Sequence, residues 1–146
     1  MINIFRTKFK KILAFLLIAS ILACISYLIV YKVSFLPNGY DIEAVQKENV
    51  SLKSFNLLGI EKDTINLSFS GNDTWKIDEI EYQVNRQKES FWLLFSFVTI
   101  SLFLLVYKIR NGLKLWKAIL ESNILSVLLP LLLLINTLNY INELIS

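Results

Sequence analysis

The chain of 146 residues contains no histidine, one cysteine (Cys24), two prolines and four glycines. Without His there is no imidazole to serve as a general base or metal ligand near neutral pH. A single Cys excludes an intramolecular disulfide. There is no Gly-rich phosphate-binding loop and no thiol placed beside a base. The expectation is therefore a protein that is not an enzyme and that uses no cofactor and no metal. Charge is scarce too. Only 18% of the residues are Asp, Glu, Lys or Arg, where a soluble domain has about 25%.

What is present in excess is apolar. Hydrophobic residues make up 55% of the chain, above the roughly 45–50% of soluble domains, and they gather in unbroken runs. Crossing a bilayer takes about 20 apolar residues. Residues 12–31, free of charge, form the first candidate span and residues 91–107 the second. Residues 119–141 form the third, with Glu121 and Asn123 near its start and Pro130 inside it, where a kink is expected. A re-entrant segment is the alternative for this third run. The first run exceeds the roughly 7–15 residues of a cleavable signal core and reads as an anchor. A lipoprotein signal ending at Cys24 is the rival, weakened by the large Leu22 and by apolar residues continuing to Tyr31.

Lys and Arg resist translocation and so report orientation. Residues 1–11 hold Arg6, Lys8, Lys10 and Lys11, and residues 108–118 hold Lys108, Arg110, Lys114 and Lys117, both without an acid. Residues 32–90 hold seven bases and ten acids. The two basic segments are expected in the cytoplasm, the acidic one outside, and the tail of residues 142–146 outside as well. Within the overall charge of +3, the basic excess is a topology signal. No basic-aromatic motif accompanies it, so no nucleic-acid partner is expected. Trp92, Tyr107 and Trp116 fall where interfacial anchors belong. Residues 108–118 read as an amphipathic helix lying on the inner leaflet, with Ile109, Leu113, Trp116 and Leu120 on one face and a break near Gly112.

Residues 32–90 are too long for a linker and marginal as a free-standing core. After a turn at Pro37-Asn38-Gly39 the period-2 signal takes over. Val50 to Leu57 alternates imperfectly, and Ile65, Leu67 and Phe69 alternate cleanly with Asn66 and Ser68. Gly71-Asn72-Asp73 reads as a hairpin turn. Trp75, Ile77, Ile80, Tyr82 and Val84 then read as a third strand, with a bulge at Asp78-Glu79. A helix over Asp78–Glu89 is the alternative, since its acids come early and its bases late. The fold class is thus an α-helical membrane protein of three transmembrane helices, with a small β-rich meander or α+β insertion between helices 1 and 2.

Candidate contact residues follow from the same pattern. Ala19, Ala23 and Ser26 form a small-residue face on the first span; Ser96 and Thr99 are polar positions of the second; Asn136 and Asn139 make a stripe near the end of the third. These mark helix packing or a partner. Asp78, Glu79 and Glu81 form an acidic cluster on the outer segment. Three Asn-x-Ser/Thr triplets, at Asn49, Asn66 and Asn72, are glycan acceptors only in a eukaryotic secretory setting, and the Lys, Ile and Asn bias resembles an AT-rich bacterial gene. No ionisable residue lies at mid-membrane, which argues against transport. The expected partners are the lipid bilayer and another membrane or secreted protein. The expected role is a small interaction protein of the bacterial inner membrane, in its most specific form an immunity protein against a membrane-acting bacteriocin or effector toxin, with oligomers allowed. Alternatives are an accessory subunit of a larger membrane complex and a lysis or membrane-permeabilising protein.

Overall fold

A computed structural model of the chain describes residues 2–146, with side chains from Arg6 onward. Met1, the first residue of the basic N-terminal segment, lies outside the described residues. The elements run α1 (Ile2–Tyr31), β1 (Tyr40–Val45), β2 (Asn49–Phe55), β3 (Glu61–Ser68), α2 (Trp75–Arg110), α3 (Leu115–Glu121) and α4 (Leu128–Ile145). Three helical stretches, Arg6–Tyr31, Gly71–Arg110 and Ile124–Ile145, are long and apolar enough to cross a membrane. Between the first two sits a three-stranded antiparallel sheet in the order β1-β2-β3.

The sheet differs from the predicted meander in its membership. The alternation over Val50–Leu57 and Ile65–Phe69 corresponds to β2 and β3, but the third strand is Tyr40–Val45, not Trp75–Val84. Trp75–Val84 is the first part of α2, and the predicted bulge at Asp78-Glu79 is ordinary helix. The reason is spacing. Ile77, Ile80, Val84 and Phe91 recur at 3, 4 and 7, so one helical face buries them all with no phase slip. The helix also grows from a long apolar span, so it needs no nucleus of its own. Gly71–Asp73 is accordingly a single 3₁₀ turn leading into α2 rather than a hairpin turn.

α2 has 36 residues and so measures about 54 Å, well beyond the roughly 30 Å of a hydrocarbon core. Its second half carries the apolar run, and its first half, here termed the stalk, is polar on one face. The sheet leans on this stalk. Val50 and Leu52 of β2 point inward onto Ile77, Ile80 and Val84, and Ile141 of α4 closes the cluster; all six are buried. Each such side chain contributes about 1.5–3 kcal/mol relative to exposure. So small a sheet is stable only when its apolar face is packed, and the stalk together with the end of α4 supplies its cover. A second cluster, Val30, Leu36, Phe91 and Leu134, joins α1, the following turn, α2 and α4 where the spans meet the sheet.

The ends of the spans follow local chemistry. Beyond Tyr31 the chain turns at Ser34, in the left-handed region at φ 53°, and the Phe35 N–H returns to the Ile29 carbonyl at 3.1 Å. At the opposite end the predicted amphipathic helix over 108–118 is two pieces. α2 continues to Arg110, Gly112 turns the chain at φ +88°, and α3 begins only at Leu115. Ile109 and Trp116 therefore belong to different helices. The third span also begins later than predicted. Asn123 breaks the helix with φ 56°, a 3₁₀ turn covers Ile124–Val127, and α4 starts at Leu128. Pro130 thus sits in the first turn of α4, where its missing N–H has no helical acceptor anyway, and no kink is required of it.

Candidate functional site

The structure places the sequence-selected residues in three zones. Along the α1–α2 seam, Ser26 is buried and donates its hydroxyl to the Leu22 carbonyl of its own helix, 3.0 Å away. Ala19 and Ala23 are half-buried on the same side. The Ala23 carbonyl accepts the indole N–H of Trp92 at 3.0 Å, so Trp92 ties α2 to α1. Tyr27 stacks on Tyr31 and meets the Trp92 ring edge-on. Further along α2, Thr99 bonds the Phe95 carbonyl at 2.8 Å, while the Ser96 hydroxyl is buried without a partner among the described residues.

At the other end Lys108 reaches α3, donating to both the carboxylate and the backbone carbonyl of Glu121 at 3.0 and 2.6 Å. The cation thereby neutralises the acid next to the third span and satisfies a carbonyl at the C-terminus of α3. α3 buries only Ala118 and leaves Leu115, Trp116 and Leu120 exposed, an apolar face beside Lys114 and Lys117. Such a helix suits the headgroup layer. Tyr107 is exposed and stacks on Phe103.

The third zone is the sheet and stalk. Asn136 and Asn139 are exposed on α4, on the side away from buried Leu134, Thr137 and Ile141. The next member of that stripe, Asn142, accepts the Tyr40 hydroxyl at 2.6 Å. On the stalk, Asp78 and Glu81 are exposed and Glu79 is half-buried, bonded to Gln83 at 2.8 Å. Around them lies a stripe that composition alone did not single out. Trp75, Asp78, Tyr82, Asn85 and Glu89 recur at spacings of 3, 4, 3 and 4, and all are exposed, directly opposite the face buried by the sheet. Trp75 and Tyr82 are 53% and 57% exposed, a large apolar surface that the fold leaves uncovered. The signal was in the sequence, since these aromatics lie on the polar side of the helical wheel once α2 is read as a helix.

The mounting of this surface is specific. The buried Gln87 side chain grips the backbone of Tyr40: its amide nitrogen donates to the Tyr40 carbonyl at 2.8 Å and its oxygen accepts the Tyr40 N–H at 3.0 Å. Gln87 thus acts as a short strand partner for the free edge of β1. Gly39 leaves room for it, because a methyl there would lie 3.0 Å from the Gln87 amide nitrogen and 3.1 Å from the Phe91 ring. One residue further along α2, Lys88 pairs with Asp41, which also accepts the Ser34 hydroxyl. On the outer face of the sheet Lys53 lies between Glu43 and Glu61, at 3.5 and 3.3 Å. The hydrogen bond to Glu61 and then the charge of Glu43 raise the Lys53 pKa above its ordinary value. Burial raises that of Tyr40.

Among the described residues, no group of three or more Cys, Asp or Glu side chains comes together as a metal site. Comparison with protein-family models, curated proteins and solved structures finds no match.

Proposed function

We propose that this chain is a small interaction protein of the bacterial inner membrane, and most specifically an immunity protein that intercepts a membrane-acting bacteriocin or effector toxin. The observation that carries the reading is the stalk stripe. Two exposed aromatics, Trp75 and Tyr82, lie with Asp78 and Glu89 along one face of α2, opposite the face that the sheet buries. Exposed Trp and Tyr are the residues that most often dominate protein interfaces. Asp78, Glu79, Glu81 and Glu89 surround them, with Arg86 as the cation on that side. A face of this chemistry complements a cationic amphipathic segment, whose apolar side meets the rings and whose amines meet the carboxylates. In the orientation read from Lys and Arg, the N-terminus is cytoplasmic and the stalk, sheet and C-terminus are extracytoplasmic, on the side from which such a toxin arrives.

Protection is the test. Expressed in a strain sensitive to a membrane-acting toxin, any encoded beside its gene being the first to try, the protein is expected to restore survival. Tyr82→Ala with Asp78→Lys abolishes protection while membrane levels stay unchanged, since loss of an interface aromatic costs about 2 kcal/mol, or roughly 30-fold in affinity. Survival of a deletion strain that carries the toxin ends the immunity reading. Reporter fusions at Asn72 and Gly112 test the orientation, and a periplasmic signal at Gly112 reverses it.

A second reading, an accessory subunit of a larger membrane complex, draws on α1. This helix packs along one seam with α2 and leaves Leu13, Leu16, Leu17 and Ile21 more than half exposed, a face open to partner helices as well as lipid. Co-purification of a stoichiometric membrane partner that survives removal of the stalk aromatics favours it.

A further inference from the structure

The turn joining β2 to β3 is built unlike a water-facing hairpin tip. Leu57, Leu58 and Ile60 are 71%, 70% and 58% exposed, the largest cluster of bare aliphatic side chains outside the helices. No charge occurs between Lys53 and Glu61, and these two flanking charges pair with each other at 3.3 Å. The backbone of the turn closes on itself. The Asn56 side-chain oxygen accepts the N–H groups of Leu58 and Ile60 at 2.9 and 3.0 Å. The Gly59 N–H bonds the Asn56 carbonyl, and the Asn56 N–H bonds the Ile60 carbonyl, both at 2.9 Å. Burying a loop in an apolar layer costs less where its backbone groups are satisfied internally, and here the amides of Asn56, Leu58, Gly59 and Ile60 are.

Its position completes the case. β1 rises along the stalk from Gln87, beside Tyr40, to Ile77, near Val45, so β2 descends again toward the spans. Phe55, the last residue of β2, packs into the cluster of Val30, Phe91 and Leu134 at the membrane boundary. The turn lies beyond it. Gly59 rests on the Phe35 ring, so closely that a methyl there would come within 2.6 Å of a ring carbon, and Phe35 in turn packs against Phe95. Phe95 is four residues past Phe91 along α2, about 6 Å further into the span.

We propose that the β2–β3 turn inserts Leu57, Leu58 and Ile60 into the bilayer leaflet on the sheet side, as a monotopic anchor beside the three spans. The occupant of this apolar tip is lipid, because the tip continues the apolar surface of α2 and carries no charged side chain. The anchor pins the free edge of the sheet and fixes the height of the stalk above the membrane. The proposal requires only that the helices cross a bilayer, whatever the stalk recognises.

The test uses the full chain in nanodiscs of phosphatidylethanolamine and phosphatidylglycerol. In a Cys24→Ser background, a nitroxide is attached at Leu58→Cys or, at the opposite end of the sheet, at Val45→Cys. Oxygen, which concentrates in hydrocarbon, is expected to relax the Leu58 label more effectively than a water-soluble nickel chelate, with the ranking reversed at Val45. Equal nickel access at the two positions overturns the proposal. So does shielding of the Leu58 label from both reagents, the result expected if a protein or a second copy covers the tip. Leu57→Ser combined with Leu58→Ser, both exposed and so harmless to the sheet, is read through a label at Ile60→Cys. It is expected to raise nickel access there several-fold, and no rise also overturns insertion.

Discussion

Replacing Gln87 with Leu tests how the sheet is mounted on the stalk. Leu fills similar space but can make neither of the bonds, at 2.8 and 3.0 Å, that Gln87 gives to the Tyr40 backbone. The side chain is fully buried, so the orphaned N–H and carbonyl gain no water unless β1 peels away. An unsatisfied buried backbone group costs about 1–3 kcal/mol. Tyr40 is the first residue of β1, and partial opening there relieves some of the penalty. The expected loss is about 2–4 kcal/mol, or roughly 30- to 1000-fold in the local opening equilibrium. Hydrogen exchange by mass spectrometry in nanodiscs reads this directly. Peptides covering 38–46 lose protection by that factor, while those from the spanning half of α2 keep theirs. Gln87→Glu gives a second handle. It retains an acceptor for the Tyr40 N–H but sets a carboxylate oxygen against the Tyr40 carbonyl, so it is at least as damaging at neutral pH. A buried, unpaired carboxylate has a raised pKa. Its protonated form can donate to that carbonyl, so the Gln87→Glu variant regains protection as pH falls. Protection of 38–46 within threefold of the parent in Gln87→Leu refutes the mounting argument. An equal loss across the spans refutes its locality.

Other perturbations have equally direct readouts. Both Lys53 and Tyr40 have folded-state pKa values above their ordinary ones of 10.5 and 10.0. The stability they contribute is therefore complete below about pH 10 and lost as pH rises through the folded values. Unfolding of the sheet region is expected to be flat from neutral pH to about 9 and to fall above 10, with Tyr40→Phe and Lys53→Met each removing part of the alkaline slope; a fall that begins at pH 7 contradicts this. Trp92→Phe deletes the bond to the Ala23 carbonyl and is expected to destabilise the α1–α2 pair by about 0.5–1.5 kcal/mol, seen as a lower midpoint in detergent unfolding, whereas Trp116→Phe leaves the midpoint unchanged. Lys108→Met frees Glu121 and is expected to raise hydrogen exchange over 115–121 without affecting the sheet, since both contacts of the Lys108 amine lie on that residue.

The three spans were legible in the sequence because transfer into lipid is a property of each residue summed along a run, with no knowledge of neighbours required. The small sheet was legible for a related reason. Ile65 and Leu67 are half-buried while Asn66 and Ser68 are exposed, so β3 wears its pleat in its composition. The sequence left strand and helix open where two periods compete over a short stretch, and the structure takes the helix. Trp75, Ile77, Ile80, Tyr82 and Val84 satisfy a strand only with a slip. The helical period buries Ile77, Ile80 and Val84 without one, but it turns Trp75 and Tyr82 outward, the less comfortable outcome for large rings. That discomfort is the most informative feature of the segment, because the fold tolerates two exposed aromatics there to keep a continuous stalk.

The polar residues on the buried side of the stalk mark a deeper boundary. Gln83, Gln87 and Ser90 interrupt an otherwise apolar face, and each is buried. A helical wheel shows such residues as defects. Their meaning lies in what they meet. Gln83 and Ser90 spend their bonds within α2, on Glu79 and on the Arg86 carbonyl, and only Gln87 reaches across to another element, at a residue 47 positions away. Periodicity carries no information about a pair so separated. What it does carry is the warning that a buried amide must have a partner. β1 and β3 are the edges of the sheet, and a buried Gln near the foot of the stalk meets the start of β1, so it has a short list of backbone groups to serve. The same logic accounts for Asn56, whose oxygen serves two amides at the apex of an apolar turn. In both places a single side-chain amide does for unpaired backbone what a neighbouring strand would otherwise do, once at the edge of the sheet and once at its β2–β3 turn.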